Sequence, residues 1–287
     1  MTSNSESGLA LVSVLWVIII LSIIALSVIG LTQQTRHAAV RSFERVVAEA
    51  SANAGIHRAI FSLLATRSED RWPTNRQAIK WYYSGQEVLI TIEPEAARID
   101  LNYADHQLLS GLFLAVGADN KKADELADAI EDWRDEDDLR RLNGAERGEY
   151  LASGHHVMPA NAPFETTGEV KHVLGITEAI YGCVAPALTV YSGRPDIDAR
   201  TASTLVLKAA GLLKGNKNDE PPGQPPQTAL ELLGGQAFRI TASVNNGLFV
   251  REAIVRITED PIKPYWILTW REQDAITAAR LGECIER

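Results

Sequence analysis

The sequence predicts an α+β protein with a long N-terminal helix, a group of antiparallel strands and an all-helical region between strands. Three observations predict this arrangement. An uncharged apolar run from Leu9 to Leu31 continues into a proline-free segment of helical periodicity. Strand-like segments lie before and after a helical region that begins near Tyr103. A hairpin signal near the C-terminus makes the last strands antiparallel.

The composition limits the classes of function. The 287 residues allow one or two domains, and 46% hydrophobic residues are sufficient for a core. A formal net charge of −9 argues against a nucleic-acid surface, which requires clustered Lys and Arg. The two cysteines, Cys183 and Cys284, are compatible with a disulfide in an oxidising compartment and equally with two separate buried thiols.

The apolar run at the N-terminus is long enough to cross a bilayer as a helix. It does not resemble a secretory signal peptide, because no basic residue precedes it and no A-x-A pattern follows it. One helix is therefore predicted from about Leu9 to about Ala65. Basic residues follow the run, so the positive-inside rule alone would place the rest of the chain in the cytoplasm.

The second half of this helix carries a narrow apolar stripe. Its members recur at alternating spacings of three and four, which places them on one helix face. We interpret the stripe as a seam that packs against a folded head. The stripe consists of Val40, Phe43, Val47, Ala50 and Ala54.

The rest of the chain divides into strand, helix and linker segments. QEVLITIEP alternates apolar and polar residues as a strand does, and AFRITASV and FVREAIVRIT flank an Asn-Asn-Gly turn, with WILTWRE as a third strand. HQLLSGLFLAVG, KKADELADAIEDWRDEDD and TTGEVKHVLG have helical periodicity. Residues 214–227 form a linker rich in Pro, Gly and polar residues.

A faint internal repeat frames the helical region. IDLNYADHQLLSGL from Ile99 and IDARTASTLVLKAA from Ile197 share an Ile-Asp pair, an Ala and a Leu at matching positions. Each copy predicts a strand that ends in a turn capping a helix. The chain is expected to leave a sheet at Asn102 and return near Asp196.

Five segments of the chain carry a resemblance to a known family. They are, in order, GLALVSVLWVIIILSIIA, IDLNYAD, AIEDWRDEDDLRRLNGAERGEY, NAPFETTGEVKHVLGITEAIYGCVAPALTVYS and DIDARTAS. They resemble the minor pseudopilin K family of type II secretion, also called the general secretion pathway protein K family. The resemblance implies a pilin-like long N-terminal helix packed on a small antiparallel sheet, with a large all-helical domain inserted between strands.

The resemblance also implies how the chain is processed and divided. A prepilin peptidase would cleave between Gly8 and Leu9, and Leu9 would become an N-methylated terminus in a single-pass inner-membrane protein with a periplasmic head. The implied parts are a leader at 1–8, a transmembrane helix at 9–31, the remaining helix and first strands at 32–102, the inserted helical domain at 103–195, and the returning pilin domain at 196–287.

The function implied by the resemblance is to initiate and cap the periplasmic pseudopilus that drives export of folded proteins. The implied partners are the I-type and J-type minor pseudopilins, the major pseudopilin, the prepilin peptidase and the inner-membrane platform. Ser13 is the fifth residue after the cleavage point, where the class generally has a Glu that pairs with a neighbouring amino terminus. A subunit without that carboxylate needs no such partner, which favours a place at the tip. There the apolar stripe on the N-terminal helix is expected to be the assembly face that contacts neighbouring subunits.

The helical segment KKADELADAIEDWRDEDD ends in a run of acidic residues, and this run is a candidate metal site. Crowded carboxylates repel one another unless a hard cation collects them, and calcium takes six to eight oxygen ligands. The spacing is not that of an EF-hand, and a solvated acidic helix end is the alternative. The family's inserted domain binds calcium, so the resemblance favours the site. Its candidate ligands are Asp132, Asp135, Asp137, Asp138 and Glu146.

The alternative function is a membrane-anchored DNA-binding or uptake protein. EVKHVLGITEAIYGCVAPALTV is similar to helix-hairpin-helix modules that bind DNA backbones, but Lys171 and His172 are the possible cations and glutamates surround them. No catalytic motif is present, and we expect neither an enzyme nor a nucleic-acid partner.

Overall fold

The computed structural model describes residues 6–212, 233–244, 247 and 249–273, and it describes only the backbone of residues 6–11 and 25–41. The predicted linker at 214–227 and the Asn pair of the predicted hairpin lie outside the described residues. Two compact units are present, Met1–Ala50 and Ser51–Arg287. The predicted mixture of helices and antiparallel sheet is confirmed.

The N-terminal helix, α1, is continuous from Glu6 to Leu63. Its large apolar side chains between Val12 and Ile24 are each 43–62% exposed. A helix segment long and apolar enough to cross a membrane is not found among the described residues. The uncharged run from Leu9 to Leu31 lies partly beyond the residues whose side chains are described.

The second unit contains an antiparallel sheet with strand order β1-β2-β5-β6-β7. β2 and β5 pair in register, and the alternating side chains Val88, Ile90 and Ile92 are completely buried, because one face of the sheet is covered. The strands are β1 (Ile79–Tyr83), β2 (Gln86–Pro94), β5 (Ala237–Val244), β6 (Phe249–Ile257) and β7 (Tyr265–Gln273).

Strand β1 was not predicted from the sequence. It pairs with β2 through a two-residue turn, in which Ser84 and Gly85 have φ angles of 50° and 77°. Positive φ at both central residues is the geometry of a tight hairpin turn. The Ser-Gly pair between two apolar runs was the available signal.

Within the second unit, the C-terminal part of α1 packs closely on β2 and β5. A Cβ atom at Gly55 would lie 3.0 Å from Val88 Cγ1 and 3.3 Å from Ala242 Cβ, so the glycine permits the helix backbone to approach the sheet. The helix residues buried in this unit include Ser51, Ala52, Ile56, Ala59, Ile60 and Leu63.

Within the second unit, the face of α1 that packs on the sheet is not centred on the predicted stripe. As a face for contacts with other subunits, the stripe stays a prediction. Phe43 and Ala50 are exposed, Val47 and Ala54 are half-buried, and the side chain of Val40 lies outside the described residues. The small residues of the true seam were not recognised, because close packing on a sheet selects Gly, Ala and Ser as well as large apolar side chains.

Helices and a short parallel strand pair lie between β2 and β5. Their core contains Leu112, Phe113, Ile130, Trp133 and Tyr150. TTGEVKHVLG, which predicted a regular helix, contains a 3-10 helix at Thr167–His172. The elements are β3 (Ile99–Asp100), α2 (His106–Ala115), α3 (Asn120–Arg134), α4 (Arg147–Ala152), α5 (Glu178–Val184), β4 (Leu188–Thr189) and α6 (Thr204–Ala209).

The two copies of the internal repeat adopt the same turn. The Asp100 and Asp198 carboxylates each accept a hydrogen bond from the backbone N–H two residues later, at 2.9 and 3.1 Å. Asp105 then caps α2, and Ser203 caps α6. The predicted turn and helix cap are confirmed in both copies. The predicted strand is present in the first copy, as β3, but not in the second, where the Asp198 N–H donates a hydrogen bond to Ala96 O instead.

The two repeat helices also pack against each other. A Cβ atom at Gly111 of α2 would lie 2.1 Å from the carbonyl oxygen of Ala209 at the end of α6. Lys208 of α6 donates to the carbonyl oxygen of Ala115 at the end of α2, at 2.9 Å. The repeat therefore brings the start and the end of the helical region together.

A buried ion-pair network joins the sheet to the start of the helical region. Arg239 on β5 contacts Glu95 at 2.7 Å and Glu252 on β6 at 3.6 Å. The Glu95 side chain is fully buried and also accepts a hydrogen bond from the hydroxyl group of Thr189 on β4. Arg271 on β7, whose side chain is half-exposed, also contacts the buried carboxylate of Glu252.

Cys183 in α5 is disulfide-bonded. The sequence contains one other cysteine, Cys284, which lies outside the described residues.

Candidate functional site

The acidic run forms a loop between α3 and α4 that covers one buried carboxylate. The α3 helix ends at Arg134, and the backbone of Asp135 is extended. Asp132, on the last turn of α3, is 0% exposed, and its two carboxylate oxygens accept hydrogen bonds from the Arg141 N–H at 3.3 Å. A Cβ atom at Gly144 would lie 2.0 Å from Asp132 Oδ2, so the loop needs a glycine there.

The carboxylates of this loop raise one another's pKa values. Burial raises the pKa of Asp132 to about 6. Burial, followed by the charges of Asp132 and Asp135, raises the pKa of Glu146 to about 7. Burial and the charge of Asp137 also raise the pKa of Asp135. Such shifts indicate a concentration of negative charge that the protein only partly neutralises.

Three oxygens of this cluster are buried and have no hydrogen-bond partner among the residues that the structure describes. They are Oδ1 of Asp135 and both carboxylate oxygens of Glu146, a residue that is only 5% exposed. A buried charged oxygen without a partner is costly, and a bound cation would satisfy it. The donor set consists of oxygens alone, which suits a hard cation such as calcium.

Arg141 supplies part of the missing positive charge. Its Nε lies 3.5 Å from Asp132 Oδ1, and its Nη2 lies 3.6 Å from Asp135 Oδ2. The Arg141 side chain is 43% exposed, so solvent weakens both interactions.

The five predicted ligands do not all converge. Asp132 and Glu146 are buried and Asp135 is half-buried, whereas Asp137 and Asp138 are exposed at the rim of the loop. The charges of all four aspartates raise the pKa of Glu146. Asp137 accepts a hydrogen bond from the Leu139 N–H, and Asp138 accepts one from Asn161. Among the described residues, no three of these five have ligand atoms within 4.8 Å of one another.

A second cluster was not recognised in the sequence. His106 at the start of α2 meets Asp128 and Glu131 of α3, and their ligand atoms lie within 4.8 Å of one another. Asp128 and Glu131 are three residues apart and share one face of α3, which was an available signal. The histidine comes from another helix, so its contact with α3 could not be predicted from the sequence.

Other predicted site residues are placed as follows. Ser13 is exposed, and the side chains of Gly8 and Leu9 are not among those described. Lys171, a cation proposed to contact DNA, lies 3.1 Å from Glu178 and 4.5 Å from the Tyr181 ring centroid. The glutamate offsets its charge, and the DNA-binding alternative gains no support.

Comparison with known proteins gives matches to protein K of type II secretion systems. The family described as "Type II secretion system (T2SS), protein K" matches residues 91–193. A putative type II secretion system protein K from Escherichia coli K12 is 26% identical over 207 residues, covering 66% of this chain and 63% of its own length. Type II secretion system protein K from Dickeya chrysanthemi is 32% identical over 107 residues, which cover 37% of this chain and 28% of its own length. These alignments span less than two thirds of the curated relatives' length.

A solved structure has the same fold. It is the GspK-GspI-GspJ complex from the type 2 secretion system of enterotoxigenic Escherichia coli, matched with a TM-score of 0.59 and 16% identity. The match covers 83% of this chain and 99% of the other. The family match includes the acidic loop, β3 and the helices α2 to α5. Over residues 91–193, and in its fold, the chain is similar to the type II secretion system protein K family.

Proposed function

We propose that this chain is a minor pseudopilin that initiates and caps the tip of the periplasmic pseudopilus, which drives export of folded proteins across the outer membrane. The observation that carries the proposal is its likeness, over 83% of its length, to a chain of a complex containing GspK, GspI and GspJ. Its helices and sheet would form a pilin-like fold with a helical domain inserted between strands.

In this role the N-terminal half of α1 is the membrane and filament segment. Prepilin peptidase removes residues 1–8, Leu9 becomes the N-methylated terminus, and the head lies in the periplasm. The exposure of the apolar side chains between Val12 and Ile24 supports this assignment, because such a surface requires lipid or neighbouring helices.

A tip position explains the features that distinguish this chain from a shaft subunit. Ser13 provides no carboxylate that must pair with a neighbouring amino terminus. The helices of residues 103–195 enlarge the head and would obstruct a subunit stacked above it. Neighbours below, which include the I-type, J-type and major pseudopilins and the membrane platform, would contact the face of α1 that carries Phe43, which is 70% exposed.

Co-purification tests this assignment. Full-length protein, co-expressed with I-type and J-type pseudopilins, is expected to form a complex with one copy of each. Phe43→Asp should reduce recovery of the complex at least tenfold, because a carboxylate would be buried in an apolar contact. Ser42→Asp is the matched control, since Ser42 is exposed on another face of the same helix. A chain that recovers neither partner would contradict the proposal.

The acidic loop is the second part of the proposal. Asp132, Asp135 and Glu146 would hold a calcium ion, with Asp137 and Asp138 at the rim of the site. The unpartnered buried oxygens of Asp135 and Glu146 support this assignment. The ion would supply positive charge that offsets the repulsion among the carboxylates and would fix the loop between α3 and α4.

Calcium is therefore expected to raise the melting temperature of the full-length protein. A ligand that binds only the folded state stabilises it by about 2.7 kcal/mol at one hundred times its Kd. Asp135→Ala combined with Asp137→Ala should abolish the rise. Glu165→Ala, which removes an exposed carboxylate outside the loop, should retain it. Identical melting curves of the unmutated protein in calcium and in chelator would reject the site.

A further inference from the structure

We propose that His106, Asp128 and Glu131 form a binding site for a divalent transition-metal ion of the zinc class. His106 Nδ1 lies 3.1 Å from Asp128 Oδ1 and 3.7 Å from Glu131 Oε2. Both acidic residues are less than 10% exposed. The site uses different residues from the proposed calcium site, and it does not depend on the proposed function.

Each carboxylate has one oxygen held by the protein and presents the other to the histidine. Oδ2 of Asp128 accepts hydrogen bonds from the backbone N–H and the side-chain amide of Asn143, at 3.0 and 3.1 Å. Oε1 of Glu131 lies 3.5 Å from Arg134 Nη2. Asp128 Oδ1 and Glu131 Oε2 are thereby directed at one point near the imidazole ring.

The other nitrogen of the imidazole also faces a carboxylate. His106 Nε2 lies 3.4 Å from Asp124 Oδ1, an oxygen that also accepts a hydrogen bond from Ser110. Ligating histidines usually direct their second ring nitrogen at a carboxylate, which fixes the ring and increases its basicity. Asp124 would therefore orient the imidazole ring, and Nδ1 of His106 would bind the metal ion.

The distances are compatible with a small tetrahedral ion, and the ligand types favour such an ion over calcium. Two ligand atoms bound to zinc at its usual bond lengths lie about 3.4 Å apart, between the two distances observed here. Imidazole is a good ligand for zinc and related ions, whereas calcium selects oxygen. Three protein ligands leave the fourth position to water, and His106 borders an open cavity of about 490 Å³ through which an ion can enter.

Arg141 is the competing cation at this site. Its Nε lies 3.4 Å from Glu131 Oε2. Because its side chain is 43% exposed, it can turn into solvent when an ion binds. The bound ion would tie the first residue of α2 to the middle of α3.

Zinc titration of the full-length protein, followed by calorimetry, tests the proposal. We expect one zinc ion per chain, lost in His106→Ala and retained in His172→Ala, which removes an exposed histidine elsewhere. Asp124→Asn should weaken zinc binding about 10–100-fold, because it alters the group that orients the ring. Arg141→Met should strengthen it, because the change removes the competing cation.

Cobalt provides an independent spectroscopic measurement. Cobalt bound to the unmutated chain should give the visible absorption of a four-coordinate nitrogen and oxygen site, and His106→Ala should lose it. Circular dichroism verifies that each variant folds, and Asp124→Asn replaces His106→Ala if the latter unfolds. No zinc binding by the unmutated chain, or equal binding by His106→Ala, would overturn the proposal. Either result would leave His106 held between carboxylates without a metal ion.

Discussion

Replacing Arg239 with Met is expected to lower the free energy of unfolding by about 3–5 kcal/mol, since the change removes one partner from a buried ion pair. Glu95 has a fully buried side chain, and Arg239 contacts both of its oxygens, at 2.7 and 3.2 Å. Without the guanidinium, Glu95 retains the hydroxyl group of Thr189, and no other cation among the described residues forms a salt bridge with it. Arg98 interacts with Glu95 only at longer range. Glu252 would still contact Arg271.

Urea denaturation of the full-length variant measures this loss. Arg194→Met is the matched control, because Arg194 also pairs with a carboxylate, that of Asp196 at 2.7 Å, but both side chains are at least half exposed. Its loss should be at most about 1 kcal/mol. Adding Glu95→Gln to Arg239→Met should restore part of the lost stability, since it removes the uncompensated charge. Equal losses in the two single variants would show that burial does not determine the energetics of Arg239.

Much of the fold could be predicted because its signals are local. The alternation in AFRITASV predicted β5, and the two repeat segments predicted the starts of two helices, which Asp105 and Ser203 cap. The face of α1 that packs on the sheet could not be found in this way. This contact depends on Gly55. A glycine is needed there because the side chains of Val88 and Ala242, which are distant in the sequence, leave no room for a Cβ atom.

The candidate sites show the same division between local and distant information. Crowding of carboxylates after α3 is visible in the sequence, and it correctly indicated repulsion at Asp132, Asp135 and Glu146. Which carboxylates are buried depends on how the loop folds over Asp132, and the sequence did not exclude Asp137 and Asp138. The contact of His106 with α3 is tertiary, and a single sequence offers no periodicity that would reveal it.

Loss of the disulfide bond is expected to destabilise the protein by about 4–5 kcal/mol. Cys183 is disulfide-bonded, and we predict Cys284 as its partner within the chain because the sequence has no third cysteine. A bridge between them would close a loop of about 100 residues, for which the chain-entropy account gives roughly 4.7 kcal/mol. The bridge would restrict the unfolded chain and tie the C-terminal segment to α5.

Denaturation of the oxidised protein and of a Cys183→Ser, Cys284→Ser double variant measures the effect. Reductant should destabilise the unmutated protein to a similar extent and should leave the double variant unchanged, which excludes a general effect of the reagent. Thiol labelling of the denatured, unreduced protein should find no reactive thiol. Two reactive thiols would disprove the bridge. A pair of chains linked through these cysteines would instead disprove the intrachain pairing, because the loop-closure contribution requires both residues in one chain.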